Sequence, residues 1–379
     1  MAPGIADMEK LLTWLQQGNS VISPKVAVED LPGMSKLPQK QILATIKRSQ
    51  LLNYETIGLR GDEQDREARR RFAGTLLLSY YLYRYHNDKG NYWNSFMETL
   101  PTEEDLETMP LTWNVEKVEE LPPKVQELVK KQKEKLQKEM ELVKTTLNVE
   151  LDERLFKWAW MCVNTRCIYM NIPGTPSHKE KVTLAPFADF INHTCDRDSS
   201  VNLKIDGRGL TLTARQEYEA GQELYLSYGA HDNARLLIEY GFTVPENPWD
   251  TVDISDYILP KLNDVQLQCL EQEGYVGANY TVNREGPSFR TIIALATSFE
   301  QIYLTISGMA EVPRRLEMLI QGEGDTDMYP SFKDELTTLL RRAKLELCDE
   351  RESSSLNEAS KTLLNDYKQI LQQAINDTN

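Results

Sequence analysis

The chain is predicted to be an α+β protein: a core of short β-sheets interrupted by one helical insert and followed by an all-α C-terminal region. Three observations predict this. Apolar residues recur at helical spacing from 65 to 155 and again beyond 292. Two alternating segments, 201–205 and 210–214, flank Asp206-Gly207-Arg208-Gly209, which is a hairpin signature. Between 186 and 242, polar residues sit inside short apolar runs that read as strands and turns.

Residues 8–17 read as a short helix with Leu11, Leu12, Trp14 and Leu15 apolar, and 21–28 and 42–46 read as strands. The segment 65–155 is helical, opening on Ala73, Leu76, Leu77, Tyr80, Tyr81 and Tyr83, with a loop marked by Pro101, Pro110, Pro122 and Pro123. Its charged part, 125–147, carries one apolar stripe through Val125, Leu128, Val129, Leu136, Met140, Val143 and Leu147, so its lysines form a solvated face rather than a binding patch. Residues 158–170 read as a buried helix running into a strand. Four helices follow at 292–306, 314–320, 332–347 and 356–375, each with an apolar stripe.

At 379 residues, with 40% apolar content, the chain is long enough for two or three packed units. It carries 43 Lys and Arg against 58 Asp and Glu, a formal charge of -15. That balance argues against a general nucleic-acid surface and suits a basic partner. Five scattered cysteines do not make a disulfide framework, and His193 with Cys195 finds no second pair to complete a metal site. With no apolar stretch of membrane-spanning length and no leader-like N-terminus, the expectation is a soluble intracellular monomer, cytoplasmic or nuclear, with no direct nucleic-acid or membrane partner.

The most informative residues are Pro186-Phe187-Ala188-Asp189-Phe190-Ile191-Asn192-His193 and Glu223-Leu224-Tyr225-Leu226-Ser227-Tyr228-Gly229, with Asn233 to Phe242 close behind. An Asn-His pair and a Tyr framed by Leu, Phe and Ile need partners or a task when buried. Either alone would be an ordinary turn; their order together points to a site. In these motifs the chain resembles SET-domain protein lysine methyltransferases, in the subgroup similar to the plant Rubisco large-subunit methyltransferase and to fungal enzymes acting on ribosomal proteins. Trp93-Asn94-Ser95-Phe96, Val163-Asn164-Thr165-Arg166 and Gly286-Pro287-Ser288-Phe289-Arg290 extend the resemblance over most of the chain.

The resemblance implies a SET core begun by a shortened N-terminal part at 1–64, a helical insert at 65–157, the catalytic core at 158–256 and a helical substrate-binding domain at 257–379. It implies S-adenosylmethionine as cofactor, and as partner a non-histone protein with an accessible lysine, such as a ribosomal or translation-related protein. It assigns Tyr228 as catalytic; Arg166, Asn192 and His193 as cofactor-binding; and Asp189, Tyr240 and Phe242 to the lysine channel. Ordinary readings stand beside these: Arg166 as a structural ion-pair partner, Tyr240 and Phe242 as core, Asp189 as a turn cap.

One feature departs from the family. Its members open with a hairpin whose Gly-x-Gly turn lets backbone approach the cofactor, whereas here residues 26–38 lead almost directly into 42–49 without such a turn. Gly207-Arg208-Gly209 reads as hairpin chemistry, not as a relocated cofactor loop. The alternative function is therefore a catalytically inactive SET-like interaction module that has lost cofactor binding.

Overall fold

A computed structural model describes residues 5–26, 39–170, 181–196, 198, 200–277, 279–351 and 356–378. The stretch where a Gly-x-Gly turn was sought, 27–38, lies outside the described residues, as do the last two positions of the strand expected at 21–28, which is strand only over Val21–Ile22 and a turn by 24–25. The chain packs as two units. The first holds residues 1–112, 130–230 and 239–241; the second holds 113–129, 231–238 and 242–379.

The first unit is built on small sheets. Its four-stranded antiparallel sheet runs Val21–Ile22, Ile42–Lys47, Gly209–Thr213, Asn202–Asp206 in spatial order. Alternation sets the register: Leu210 and Leu212 are buried against Leu43, Ala44 and Ile46 while Thr211 and Thr213 face outward. Gly207-Arg208 forms the hairpin turn that the sequence predicts. Gly209 has φ of 139°, and a Cβ there would collide with the Ile46 carbonyl, so glycine is demanded by the neighbouring strand.

A second antiparallel sheet orders Leu52–Asn53, Val182–Leu184 and Ile168–Tyr169. A parallel pair, Asn192–His193 with Tyr225–Leu226, joins the two motifs singled out in the sequence. The helix Glu153–Arg166 packs against the helix Gly74–Tyr85. Asp152 caps its start by accepting from the Arg154 and Leu155 N–H groups at 3.0 and 3.1 Å. Phe156, Ala159, Trp160 and Val163 form its buried stripe, and its last turn delivers Arg166, a cation at the helix end that favours one.

The second unit is helical, as expected, with Asp264–Gln272, Phe289–Ser298, Arg314–Gln321, Phe332–Leu347 and Glu358–Thr378. It also carries a small antiparallel sheet, Val252–Asp253, Thr281–Asn283 and Gly286–Pro287, too short to show alternation in sequence. Two expectations are corrected. Residues 186–242 are not all strands and turns, because Asn233–Tyr240 is a helix burying Ala234, Leu237 and Ile238 at helical spacing. The helix expected at 292–306 spans Phe289–Ser298 instead. Its carbonyl end is stopped by the Gln266 amide, which donates to Thr297 O and Glu300 O at 3.0 and 2.9 Å.

Asn233 sits between two buried carboxylates of the second unit. Its Nδ2 faces three acceptors, Val244 O at 2.8 Å, Asp250 Oδ2 at 2.8 Å and Asp366 Oδ2 at 3.0 Å. An amide nitrogen carries two protons and accepts none, so it cannot serve all three; Asp250 and Asp366 lie within hydrogen-bond reach of each other, and one carboxyl carries the proton between them. Arg284 pairs with Asp366 at 3.2 Å, which leaves the proton on Asp250, whose carboxyl is raised by burial and by the neighbouring Asp366. A carboxyl raised in the folded state adds stability that is complete below the ordinary carboxylate pKa and lost as pH rises through the folded value. Asp250→Asn, whose amide replaces the shared proton, is expected to flatten that decline when unfolding is followed by denaturant across pH. An unchanged slope would show that Asp250 is ionised in the native protein.

Candidate functional site

The first unit gathers most of the singled-out residues. The parallel strands set Asn192 opposite Tyr225 and His193 opposite Leu226, so Tyr228 falls beside His193 two residues further on. The Tyr228 N–H donates to His193 Nδ1 at 3.0 Å, and the rings lie 5.0 Å apart. An Nδ1 that accepts is unprotonated, which places the proton of neutral His193 on Nε2, 3.5 Å from Cys195 Sγ. The imidazole, 8% exposed, is thus committed to orienting Tyr228.

Tyr228 is held at both ends. Its Oη donates to the Ile191 carbonyl at 2.9 Å, and its ring meets Tyr240 at 5.1 Å. Burial pushes its phenol up to about 12, against the pull of Arg166, so the hydroxyl stays neutral at physiological pH. Tyr240 ends the helix Asn233–Tyr240, and the chain then turns at Gly241, φ 80°, where a Cβ would lie 2.5 Å from Thr108 Oγ1. Close backbone approach fixes Tyr240 there.

Asp189 and Arg166, given separate roles in the sequence reading, face each other. Arg166 Nη1 donates to Asp189 O at 2.9 Å and lies 3.4 Å from Asp189 Oδ2. The Asp189 carboxylate is 1% exposed, and burial pushes it up to about 6 although Arg166 pulls the other way. Asp189 Oδ1 and Arg166 Nε are both buried without a hydrogen-bond partner among the described residues. Phe187 aims this segment: it is buried at φ 73° and ψ -41°, a conformation that strains a bulky residue by about 1–3 kcal/mol.

Asn192 is exposed, and its Nδ2 donates to Glu223 Oε1 at 2.7 Å while Tyr225 Oη donates to Glu223 Oε2 at 2.8 Å. Sequence reasoning placed Glu223 in a motif without giving it a role and missed the orienting task of His193; both pairings arise from the meeting of distant strands and leave no local signal. Phe242, half-buried, belongs to the second unit. Among the described residues no cluster of three metal-ligating side chains occurs.

The short sheets, the joined Asn-His and Tyr-Gly motifs and the helical second unit define the class, and the comparisons agree: residues 35–229 match the SET domain, and the chain belongs to that family. Residues 250–378 match the ribosomal lysine N-methyltransferase 2 C-terminal domain. Among similar proteins, ribosomal lysine N-methyltransferase set11 of Schizosaccharomyces pombe is 33% identical over 150 residues, 39% of this chain and 38% of that protein. Ribosomal lysine N-methyltransferase 2 of Saccharomyces cerevisiae is 27% identical over 309 residues, 69% of this chain and 61% of that protein. The match thus spans less than two thirds of either relative's length. The solved SET domain of LSMT bound to lysine and AdoHcy superposes with a TM-score of 0.65 at 16% identity, covering 99% of this chain and 92% of that one, which shows the fold.

Proposed function

We propose that this protein transfers a methyl group from S-adenosylmethionine to a lysine side chain of a non-histone protein, a ribosomal or translation-related one. The observation that carries the reading is Tyr228, a neutral half-buried phenol anchored through both its backbone and its hydroxyl beside a carboxylate with one unpartnered oxygen. The names of the similar fungal proteins and the ligands of the LSMT structures support it.

The donor set suits the cofactor and substrate. A planar, always-charged guanidinium with an unpartnered Nε at Arg166 fits a carboxylate, and Asp189 Oδ1 fits an amine or ammonium. Asn192 and His193 would hold the amino group and adenine through backbone and amide groups, with Tyr240 as a channel wall. S-adenosylmethionine supplies a methyl group on a positively charged sulfur. Tyr228 orients the lysine amine by hydrogen bonding and keeps its own proton, because burial holds its pKa far above neutral. Asp189 Oδ1 accepts from the incoming amine. Desolvation lowers the lysine pKa, so no strong base is required of the chain. We place the protein, as a monomer, in the cytoplasm or nucleus; no described helix is long and apolar enough to cross a membrane.

Labelled S-adenosylmethionine incubated with single purified ribosomal proteins is expected to mark one of them on lysine. The second reading, an inactive interaction module, is favoured by the lack of an N-terminal Gly-x-Gly. Calorimetric titration separates the two: binding with a thermal shift is expected, and neither heat nor shift at millimolar cofactor would leave only the module.

A further inference from the structure

The second unit holds an apolar knuckle that its own core does not use. After the helix Phe289–Ser298, the chain turns back on itself between Tyr303 and Glu311. Ile306 is fully exposed, and Tyr303, Leu304 and Met309 keep 67, 49 and 58% of their surfaces in solvent. Scattered exposed apolar residues are normal, but four large ones within seven positions are a patch.

This tip is rigid. The Thr305 N–H donates to Met309 O at 2.8 Å, the Gly308 N–H to Thr305 O at 2.9 Å and the Glu311 N–H to Tyr303 O at 2.9 Å. The helix Asp264–Gln272 grips it from outside. Gln268 Nε2 donates to Gly308 O at 2.7 Å, while Gln272 accepts from the Ala310 N–H at 2.8 Å and donates to Ala310 O at 3.2 Å. A backbone ordered this thoroughly has already met the entropic cost that a loop incurs on binding, and it holds Tyr, Ile and Met side chains in water. Tyr and Met are enriched at the centres of protein interfaces, where a few such anchors carry most of the binding energy.

Charge names the partner. The chain carries a formal charge of -15, and exposed Glu271, Glu273 and Glu311 lie in the gripping helix, its following turn and the end of the knuckle. An apolar tip in an acidic surround complements an apolar pocket in a basic protein surface and repels nucleic acid.

We propose that residues 303–309 are an anchor by which the second unit docks a basic ribosomal protein. The identity of that partner rests on the function proposed above. Ribosomal proteins, purified singly, are titrated against the full chain and against an Ile306→Ser/Met309→Ser variant by interferometry, with no cofactor present. One protein is expected to bind the wild-type chain, to bind less tightly as salt rises, and to lose about tenfold or more in affinity for the variant. Equal affinity for both chains overturns the anchor, as does the failure of every ribosomal protein to bind. So does a wild-type dimer, seen by sedimentation, that the variant dissolves, since the occupant is then a second copy. Binding without any methyl transfer in the parallel labelled assay supports the anchor and fails the enzymatic reading; transfer that is indifferent to the variant does the reverse.

Discussion

Tyr228→Phe is expected to lower the methyl-transfer rate at saturating cofactor and substrate by about 10²–10³-fold while leaving the protein folded. The ring stays in place because its neighbours hold it without the hydroxyl: His193 Nδ1 takes the backbone N–H at 3.0 Å, and Tyr240 packs at 5.1 Å. What is lost is Oη, which the Ile191 carbonyl positions at 2.9 Å. Leaving that carbonyl unpaired costs about 1–2 kcal/mol of stability, too little to unfold a domain of this size. The loss therefore falls on kcat rather than on cofactor affinity. Turnover measured beside a melting curve checks it: wild-type kcat in the variant removes Tyr228 from the chemistry, and a collapsed melt shows the hydroxyl to be structural.

Arg166→Ala is expected to destabilise the first unit by about 3 kcal/mol, because it leaves the 1%-exposed Asp189 carboxylate without its counter-charge. The sign with pH is definite. Asp189 titrates in the folded protein at about 6, above its ordinary range, so its contribution to stability is complete below that range and declines as pH rises through about 6. Arg166 is the group that pulls this value down. Its removal should raise the carboxyl further, steepening the loss of stability and carrying it past pH 6. Adding Asp189→Asn removes the buried charge and should restore most of the stability at neutral pH. Denaturant unfolding of both variants across pH tests this; if the second substitution restores nothing, Arg166 is not the counter-charge. A restored fold that still binds no cofactor would separate the cofactor role of Arg166 from its pairing role.

Much of the fold is legible in the chain because it is written in local periodicity. The hairpin about Gly207-Arg208 and the helices over 123–147 and 332–347 each carry a pattern that one face of one element explains. The misreadings share a cause. Leu236-Leu237-Ile238 is a continuous apolar run that periodicity cannot divide between helix and strand, and the end of the helix Phe289–Ser298 is set by Gln266, more than twenty residues earlier in sequence.

By itself the sequence determined the α+β class and singled out the polar residues set inside apolar runs: Asn192, His193 and Tyr228. Those follow from residue type and spacing, which act over a few positions. Only the tertiary structure decided who meets whom. It turned Arg166 toward Asp189, made His193 the support of Tyr228, gave Asn192 to Glu223 and set an apolar tip on a rigid frame of glutamines. Hydrogen bonds and ion pairs act within a few ångströms, and only folding brings residues dozens of positions apart within that reach.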